Sequence, residues 1–301
     1  MSKLRYGVDM KQHDLILNGQ SFHIREWGDA SKPTLLMLHG FPEYGGAWAD
    51  LAERLEDSYH CVAPDQRGYG QSYAPPEPEA YRVSAMMPDM VALIDHLGGP
   101  VVVVGHDWGA AMAYGLAMAR PDLVSKLVIL NGVHPGPFQT ALAAGGAQTA
   151  ASQYMTFLRR DDAEARLSAD GYAKLLGLFA ENMDMSWMTP ERRDVYVTEW
   201  SRPGRLRGMV NWYRATPLVI PKPGETVAVP PMDPEKLRVR MPHLLVWGLG
   251  DTALLPEATE GLETYCDDLT RVEIEGADHW LVHQRPGEVA QILRNWLENG
   301  A

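Results

Sequence analysis

The chain has 301 residues, 46% of them hydrophobic and 22% charged, and a formal net charge of −12. That length and balance suit one globular α/β domain with an insertion, and the negative charge argues against nucleic acid and anionic membrane as partners. No stretch approaches the roughly 20 apolar residues of a membrane span, charged residues from Lys3 to Asp14 argue against a signal peptide, and two isolated cysteines, Cys61 and Cys266, point to a reducing, cytoplasmic setting rather than a disulfide framework.

Residues 22–28 read as an early strand and 34–38 as a short apolar strand buried on both faces. A helix is expected over 47–55 and a strand over 61–64. Residues 83–97 carry Met86, Met90, Leu93 and Leu97 at spacings of three and four, as an amphipathic helix does. Val101-Val102-Val103-Val104 is a buried strand that runs into a sharp turn and a helix over 110–119, with another strand at 127–130. From 135 to 217 strand signals stop and several helices are expected, with Trp187, Trp200 and Trp212 and tyrosines at 154, 172, 196 and 213. Residues 217–242 are proline-rich and read as a return loop. Strands resume at 244–247 and 272–274, and an amphipathic helix over 289–297 closes the pattern. Strands alternating with helices imply a mostly parallel sheet covered on both faces. The expected organisation is an α/β core over 1–134, a helical cap over 135–217, and a return loop with the rest of the core over 218–301. The cap would lie over the carboxyl ends of the strands, where open α/β sheets bind ligands.

The turn after Val104 is Gly105-His106-Asp107-Trp108-Gly109. A strand–turn–helix of this kind, with small residues at both ends, holds its central side chain up into a pocket. That side chain is a carboxylate here, where a serine would direct the chemistry to acyl transfer. A carboxylate needs no base to attack an sp³ carbon, and the attack leaves an alkyl ester on the enzyme. Removing the ester takes a water, a base and a group to orient the base. His279, in Gly276-Ala277-Asp278-His279-Trp280 after the last strand, fits the base. Asp251, in Trp247-Gly248-Leu249-Gly250-Asp251 after the strand before it, fits the orienting acid. An arbitrary one of the ten histidines is more often a surface or satisfied core residue; His279 is set apart by its position. Asp278 is a rival acid, but adjacent side chains diverge, which favours Asp251. His39-Gly40-Phe41-Pro42-Glu43 follows the 34–38 strand. Gly40 lets the backbone approach a ligand closely, the backbone N–H groups of Phe41 and Trp108 are the expected oxyanion donors, and Phe41-Pro42 is a candidate cis peptide. A tight turn is the plainer role for this stretch, and the two are compatible.

Taken together the chain resembles the α/β-hydrolase superfamily, and within it the epoxide hydrolase branch. The resemblance spans roughly residues 15–298. It is carried by HGFPE at 39–43, Asp65-Gln66-Arg67-Gly68-Tyr69-Gly70-Gln71-Ser72, the GHDWG elbow, the GLGD acid turn, GADHW at 276–280 and the helix over 285–297. It implies an α/β-hydrolase fold, a mostly parallel central sheet flanked by helices with an inserted helical cap. It implies hydrolysis of a small apolar or aromatic epoxide to a diol, with no metal and no organic cofactor. Two cap tyrosines that hydrogen-bond the epoxide oxygen are also implied. Asn211-Trp212-Tyr213-Arg214 is similar to the second tyrosine motif and Gln153-Tyr154-Met155, less specifically, to the first. Tyr172 and Tyr196 are expected to be packing residues with satisfied hydroxyls. Some relatives place the acid where this chain has the uncharged Asn131, which also favours Asp251. His39, Gly40, Pro42, Trp108 and Trp280 are the remaining expected substrate contacts, and the oligomeric state stays open, a homodimer included.

Rival chemistries fit less well. Haloalkane dehalogenases share the aspartate elbow, and Trp108 offers one indole donor for a halide, but Phe41 occupies the usual place of the second. Fluoroacetate dehalogenases carry arginines after the nucleophile, where this chain has Trp108, Gly109, Ala110 and Ala111, and a cap His-Trp where it has Gln153-Tyr154. A serine esterase would need a serine at the elbow, and a non-catalytic scaffold usually loses a triad member that this chain keeps. Asp65 and Arg67 are expected to hold a loop.

Overall fold

A computed structural model of the protein describes residues 10–180, 182–230 and 232–299. The sheet starts with a hairpin in which β1 (Lys11–Leu17) and β2 (Gln20–Trp27) pair antiparallel, Leu17 opposite Gln20. Asn18 and Gly19 join them with φ of +51° and +79°, the backbone that a two-residue hairpin turn demands and that an Asn-Gly pair adopts most readily. The sequence expectation lacks β1 because this edge strand exposes Lys11, Gln12, Asp14 and Ile16 and presents no apolar run. The Asn-Gly pair was the available signal.

The remaining strands are β3 (Thr34–Leu38), β4 (His60–Pro64), β5 (Val101–His106), β6 (Val124–Leu130), β7 (His243–Gly248) and β8 (Leu269–Ile274). Their order across the sheet is β1-β2-β4-β3-β5-β6-β7-β8. β2 runs antiparallel to β4, and every pairing from β4 to β8 is parallel. β4, β5 and β7 are buried from end to end, which is why they are continuous apolar runs rather than alternating ones. Between β3 and β5 the chain changes direction across the sheet, since β3 connects to β4 on one side and β5 lies on the other. The crevice beyond the carboxyl ends of these two strands is the switch point where a ligand fits.

The helices are α1 (Ala49–Ala52), α2 (Val83–His96), α3 (Trp108–Ala119), α4 (Pro135–Ala143), α5 (Ala147–Ala151), α6 (Gln153–Leu158), α7 (Ala163–Ala180), α8 (Pro190–Trp200), α9 (Arg205–Ala215), α10 (Leu281–Gln284) and α11 (Pro286–Asn299). Alternate residues of a strand face opposite sides. Leu36, Leu38, Val103, Leu127 and Ile129 accordingly pack with Met86 and Leu93 of α2 and Met112 and Leu116 of α3. Leu35, Met37, Val104, Val128 and Val246 pack with Leu51 of α1 and Val289 and Leu293 of α11. Burying each such side chain stabilises the fold by about 1.5–3 kcal/mol. The helix expected over 47–55 is shorter than that. A 3₁₀ turn, Gly45–Trp48, leads into α1, after which the chain tightens, Arg54 N–H donating to the Leu51 carbonyl and Leu55 N–H to that of Ala52. These i→i−3 bonds turn the backbone toward the start of β4.

α4 to α9 form one helical insert between β6 and β7. The stretch from 217 to 242 that returns to β7 carries no helix or strand among its described residues, only an isolated bridge from Val239 to Cys266. Among the described residues no helix is long and apolar enough to cross a membrane. Cys61 and Cys266 are both buried and unbonded to each other.

Candidate active site

Asp107 stands between β5 and α3 with φ of +51° and ψ of −119°. A non-glycine residue in this region costs on the order of 1–3 kcal/mol and persists only where the surroundings hold it. They do so through a bond from Asp107 N–H to the Asn131 carbonyl at 3.3 Å and one from Ala110 N–H to the Asp107 carbonyl at 3.0 Å. The Phe41 N–H donates to Asp107 Oδ1 at 2.7 Å. A Cβ at Gly40 would collide with the Asp107 side chain, and one at Gly109 with the Leu38 carbonyl, so neither position accepts a larger residue. Trp108 opens α3, so its N–H belongs to the first turn of helix donors that have no intrahelical partner. Phe41-Pro42 is cis.

His279 follows β8. Its Nδ1 lies 2.7 Å from Asp251 Oδ2 and its Nε2 3.7 Å from Asp107 Oδ2. Asp251 follows β7, and its Oδ1 accepts the N–H groups of Ala253 and Leu254, both at 2.9 Å. Asn131 donates to Asp251 Oδ2 at 2.8 Å and accepts from Gly248 N–H at 2.6 Å. Burial alone would raise the Asp251 carboxyl, but the His279 charge and these donors hold it below the usual carboxylate range. Burial alone would lower His279; Asp251, and then Asp107, push it up to about 9. Asp278 is turned elsewhere, its two oxygens taken by the N–H groups of Trp280 at 2.9 Å and Asp184 at 2.7 Å.

Behind the histidine lies a buried polar cluster that the sequence analysis did not single out. His106 Nε2 donates to the His279 carbonyl at 2.8 Å, and its Nδ1 is 3.3 Å from Glu43 Oε2. Glu43 Oε1 also lies 2.6 Å from His283 Nε2 and accepts the Tyr196 hydroxyl at 2.9 Å. Burial opposes the Glu43 charge, yet His283 and His106 beside it keep its carboxyl well below the usual range. The available signal was the last residue of the HGFPE turn together with the two histidines.

A cavity of about 490 Å³ opens in front of Asp107, the size of an ordinary small-molecule site. Phe41, Pro42, His279, Trp280, Tyr154 and Tyr213 are among the residues lining it. Tyr213 is 1% exposed and meets Phe41 and Trp108 edge to face at 5.0 and 5.1 Å, with Tyr154 at 6.0 Å. Burial first, and then the nearby Asp107 charge, raise the Tyr154 phenol above its ordinary value. Burial, the neighbouring Tyr154 and the Asp107 charge do the same for Tyr213. Both phenols therefore keep their protons at neutral pH.

Side chains fasten the insert to loops of the core and hold its own helix ends in place. The Trp212 indole donates to the Arg67 carbonyl at 3.0 Å, Asn211 to the Pro76 carbonyl at 3.1 Å and the Trp200 indole to the Pro42 carbonyl at 2.6 Å. Arg159, just past α6, donates to the carbonyls of Tyr213 and Leu218, both at 2.9 Å. Sequence reasoning did not find Arg159.

His39, Gly40 and Trp108, expected as substrate contacts, do not line the cavity. The His39 ring is spent on the backbone, donating from Nδ1 to the Gly40 carbonyl at 2.9 Å and accepting Gln66 N–H on Nε2 at 3.1 Å. Gly40 lies beneath the Asp107 side chain. The Trp108 ring packs edge-on against Trp212 and Tyr213. Tyr172 and Tyr196 have satisfied hydroxyls, the first 3.0 Å from Ser201 Oγ. Asp65 pairs with Arg25 at 2.5 Å, and Arg67 with Asp89 at 2.7 Å.

An elbow, an acid turn and a histidine turn thus hang from the carboxyl ends of β5, β7 and β8, the arrangement of an α/β hydrolase. The family model described as alpha/beta hydrolase fold matches residues 33–286, and the chain belongs to that family. It is 30% identical to the AB hydrolase superfamily protein YfhM of Bacillus subtilis, over 94% of this chain and 96% of that one. It is equally 30% identical to Epoxide hydrolase A of Mycobacterium tuberculosis, over 93% and 95%. A solved structure described among novel epoxide hydrolases of the alpha/beta hydrolase superfamily, from metagenomes of hot environments, superposes with a TM-score of 0.87 at 34% identity, covering 95% of this chain and 98% of that one.

Proposed function

We propose that the protein is an epoxide hydrolase that opens an epoxide to a vicinal diol through an ester on Asp107, with the insert as a cap over the site. The observation that carries this is the pairing, across one cavity, of a carboxylate and histidine with two protonated phenols. The relatives named epoxide hydrolases support the substrate class.

Asp107 attacks a ring carbon, the C–O bond breaks, and Tyr154 and Tyr213 donate to the oxygen that develops negative charge. His279 is held protonated by Asp251 and Asp107 together. A phenol passes its proton to the new hydroxyl and regains one from solvent, while ester formation removes the Asp107 charge, so that His279 releases its proton to solvent more readily. Neutral His279 then takes a proton from water. The resulting hydroxide adds to the ester carbonyl, whose oxyanion faces the N–H groups of Phe41 and Trp108. Collapse expels the second diol oxygen, which takes the proton brought in by the water, and returns Asp107 as carboxylate and His279 as imidazolium. The phenols favour this chemistry over halide release, because a departing halide needs no proton and an alkoxide does.

A single turnover in heavy-oxygen water tests the reading. The diol should carry no label and the protein should gain it, because the transferred oxygen comes from Asp107. Label in the first-turnover diol would mean that water attacks the epoxide directly, and the covalent route would fall.

A further inference from the structure

Among the described residues, the charged side chains on the cavity wall are Asp107 and His279 at its floor and Lys174. The chain breaks α7 to place it. Ala169 leaves the helix with ψ of 152°, and Asp170, Gly171 and Tyr172 follow with φ of +50°, +63° and +66°. Three successive residues in the left-handed region are costly, the two non-glycines most of all. Tyr172 is held there by Ser201 Oγ at 3.0 Å and by the Trp200 ring at 5.6 Å. Beyond the break, Lys174 and Leu178 stand four residues apart on one helical face, and both line the cavity. The Lys174 ammonium lies 4.6 Å from the centre of the Phe157 ring, itself part of the wall. Among the described residues no carboxylate is within ion-pair distance of it. Lys174 is itself exposed to solvent, and its ammonium stands over the Phe157 ring at the cavity wall.

We infer that Lys174 is the recognition point for an acidic group on the substrate, so that the preferred epoxides are amphipathic. The reactive ring would lie at Asp107, an apolar segment against Phe157, Leu178 and Met183, and a carboxylate at the far end beside Lys174. This rests on the epoxide reading of the cavity. The separation between the two ends matters, because a carboxylate near the ring would meet the Asp107 charge.

The test uses the purified full chain and a series of straight-chain epoxides of increasing length, each ending in a carboxylate or in the corresponding primary amide. The readout is the ratio of kcat/KM for acid over amide within each protein, so a general loss of activity does not imitate the effect. In the wild type the ratio should pass through a maximum at one chain length, about three- to fivefold at low salt, and shrink as ionic strength rises. Lys174→Met should bring that maximum to one or below, Lys174→Glu lower still, and Lys174→Arg should retain it. A wild-type ratio at or below one at every length, or a preference that survives Lys174→Met, would overturn the inference while leaving epoxide opening intact. Failure of the wild type to open acids and amides alike would overturn the epoxide reading itself.

Discussion

The two walls of the cavity are built by different means. Asp107, Asp251 and His279 each stand just past a parallel strand, so the hydrogen-bond ladder of β5, β7 and β8 sets their spacing. Tyr154 and Tyr213 stand on α6 and α9, which belong to no strand, and individual side-chain bonds such as those of Arg159, Asn211 and Trp212 fix their places. Each such bond contributes about 0.5–1.5 kcal/mol net, whereas the sheet behind the triad is a single cooperative unit. Asp107 and His279 are held rigidly, then, and on the proposed reading the two phenols that serve them sit on an element that can adjust to the substrate.

The largest effects are expected at the rigid wall. Asp107→Ala should lower turnover on the order of 10⁴-fold or more, as loss of a nucleophile does, and intact mass spectrometry should find no substrate adduct. Turnover within tenfold of wild type would remove Asp107 from the reaction. His279→Gln separates the half-reactions. It should still form the ester and then stall, with the hydrolytic step slowed on the order of 10²–10⁴-fold and a protein-plus-epoxide mass accumulating. Normal turnover without that mass would show that His279 is not the base.

The adjustable wall should act on the other half-reaction. Removing one donor to developing charge costs on the order of 2.7–4 kcal/mol, and two phenols can partly cover for each other. Tyr154→Phe combined with Tyr213→Phe should therefore slow ester formation far more than either change alone and leave ester hydrolysis nearly untouched. Rapid-quench measurement of the adduct resolves the two steps. Alkylation by the double variant at the wild-type rate would reduce both tyrosines to packing residues.

The charge on the rigid wall has a signature in pH. His279 is pushed up to about 9 in the folded protein, against about 6.5 when unfolded. The folded state holds this proton more tightly, so the stability it contributes is complete below about pH 6.5 and is lost as pH rises toward 9. Asp107→Ala removes one of the charges that sustain the shift. The His279 imidazole in that variant should titrate below the wild-type value by NMR, and the fall in Tm between pH 6.5 and 9 should be shallower. An unchanged titration would mean that Asp107 and His279 do not sense each other.

The same contrast governs what could be read from the sequence. The parallel sheet and the three site turns were legible because each is local, a buried apolar run ending in glycine-flanked polar residues. β1 was not, because an edge strand facing water has no apolar run. The helix at 47–55 was overextended because its apolar spacing continues where the backbone tightens into turns. The bonds that Asn131 and Arg159 make were illegible for a different reason, although resemblance had marked the Asn131 position as one where some relatives place the acid. The bonding partners lie 120 and 54 residues away, and nothing in the adjoining sequence says that an amide will lock a carboxylate or that a guanidinium will hold a helix end. The placement of Tyr154 and Tyr213 on the cavity wall was legible only through resemblance, since a phenol in an aromatic-rich helical stretch is otherwise a packing residue.

Asn131 and Arg159 therefore provide the finest test of the comparison, one support for each wall. Arg159 is half-buried, its charge opposed by burial, and it binds the carbonyls of Tyr213 and Leu218. Arg159→Met keeps much of the packing and removes both bonds, freeing the end of α9 that carries Tyr213. Ester formation should slow about tenfold, with hydrolysis unchanged and a stability loss of about 1–3 kcal/mol from the unpaired carbonyls. Asn131→Leu removes the donor to Asp251 and the acceptor for Gly248 N–H. It should slow ester hydrolysis by a similar factor through a less firmly held acid, and leave alkylation as it was. The pair is read from pre-steady-state rates of adduct formation and decay. If each variant slows both steps equally, the cavity is one mechanical unit and the division into a rigid and an adjustable wall is wrong. If Arg159→Met slows only decay, the end of α9 serves the hydrolytic step instead.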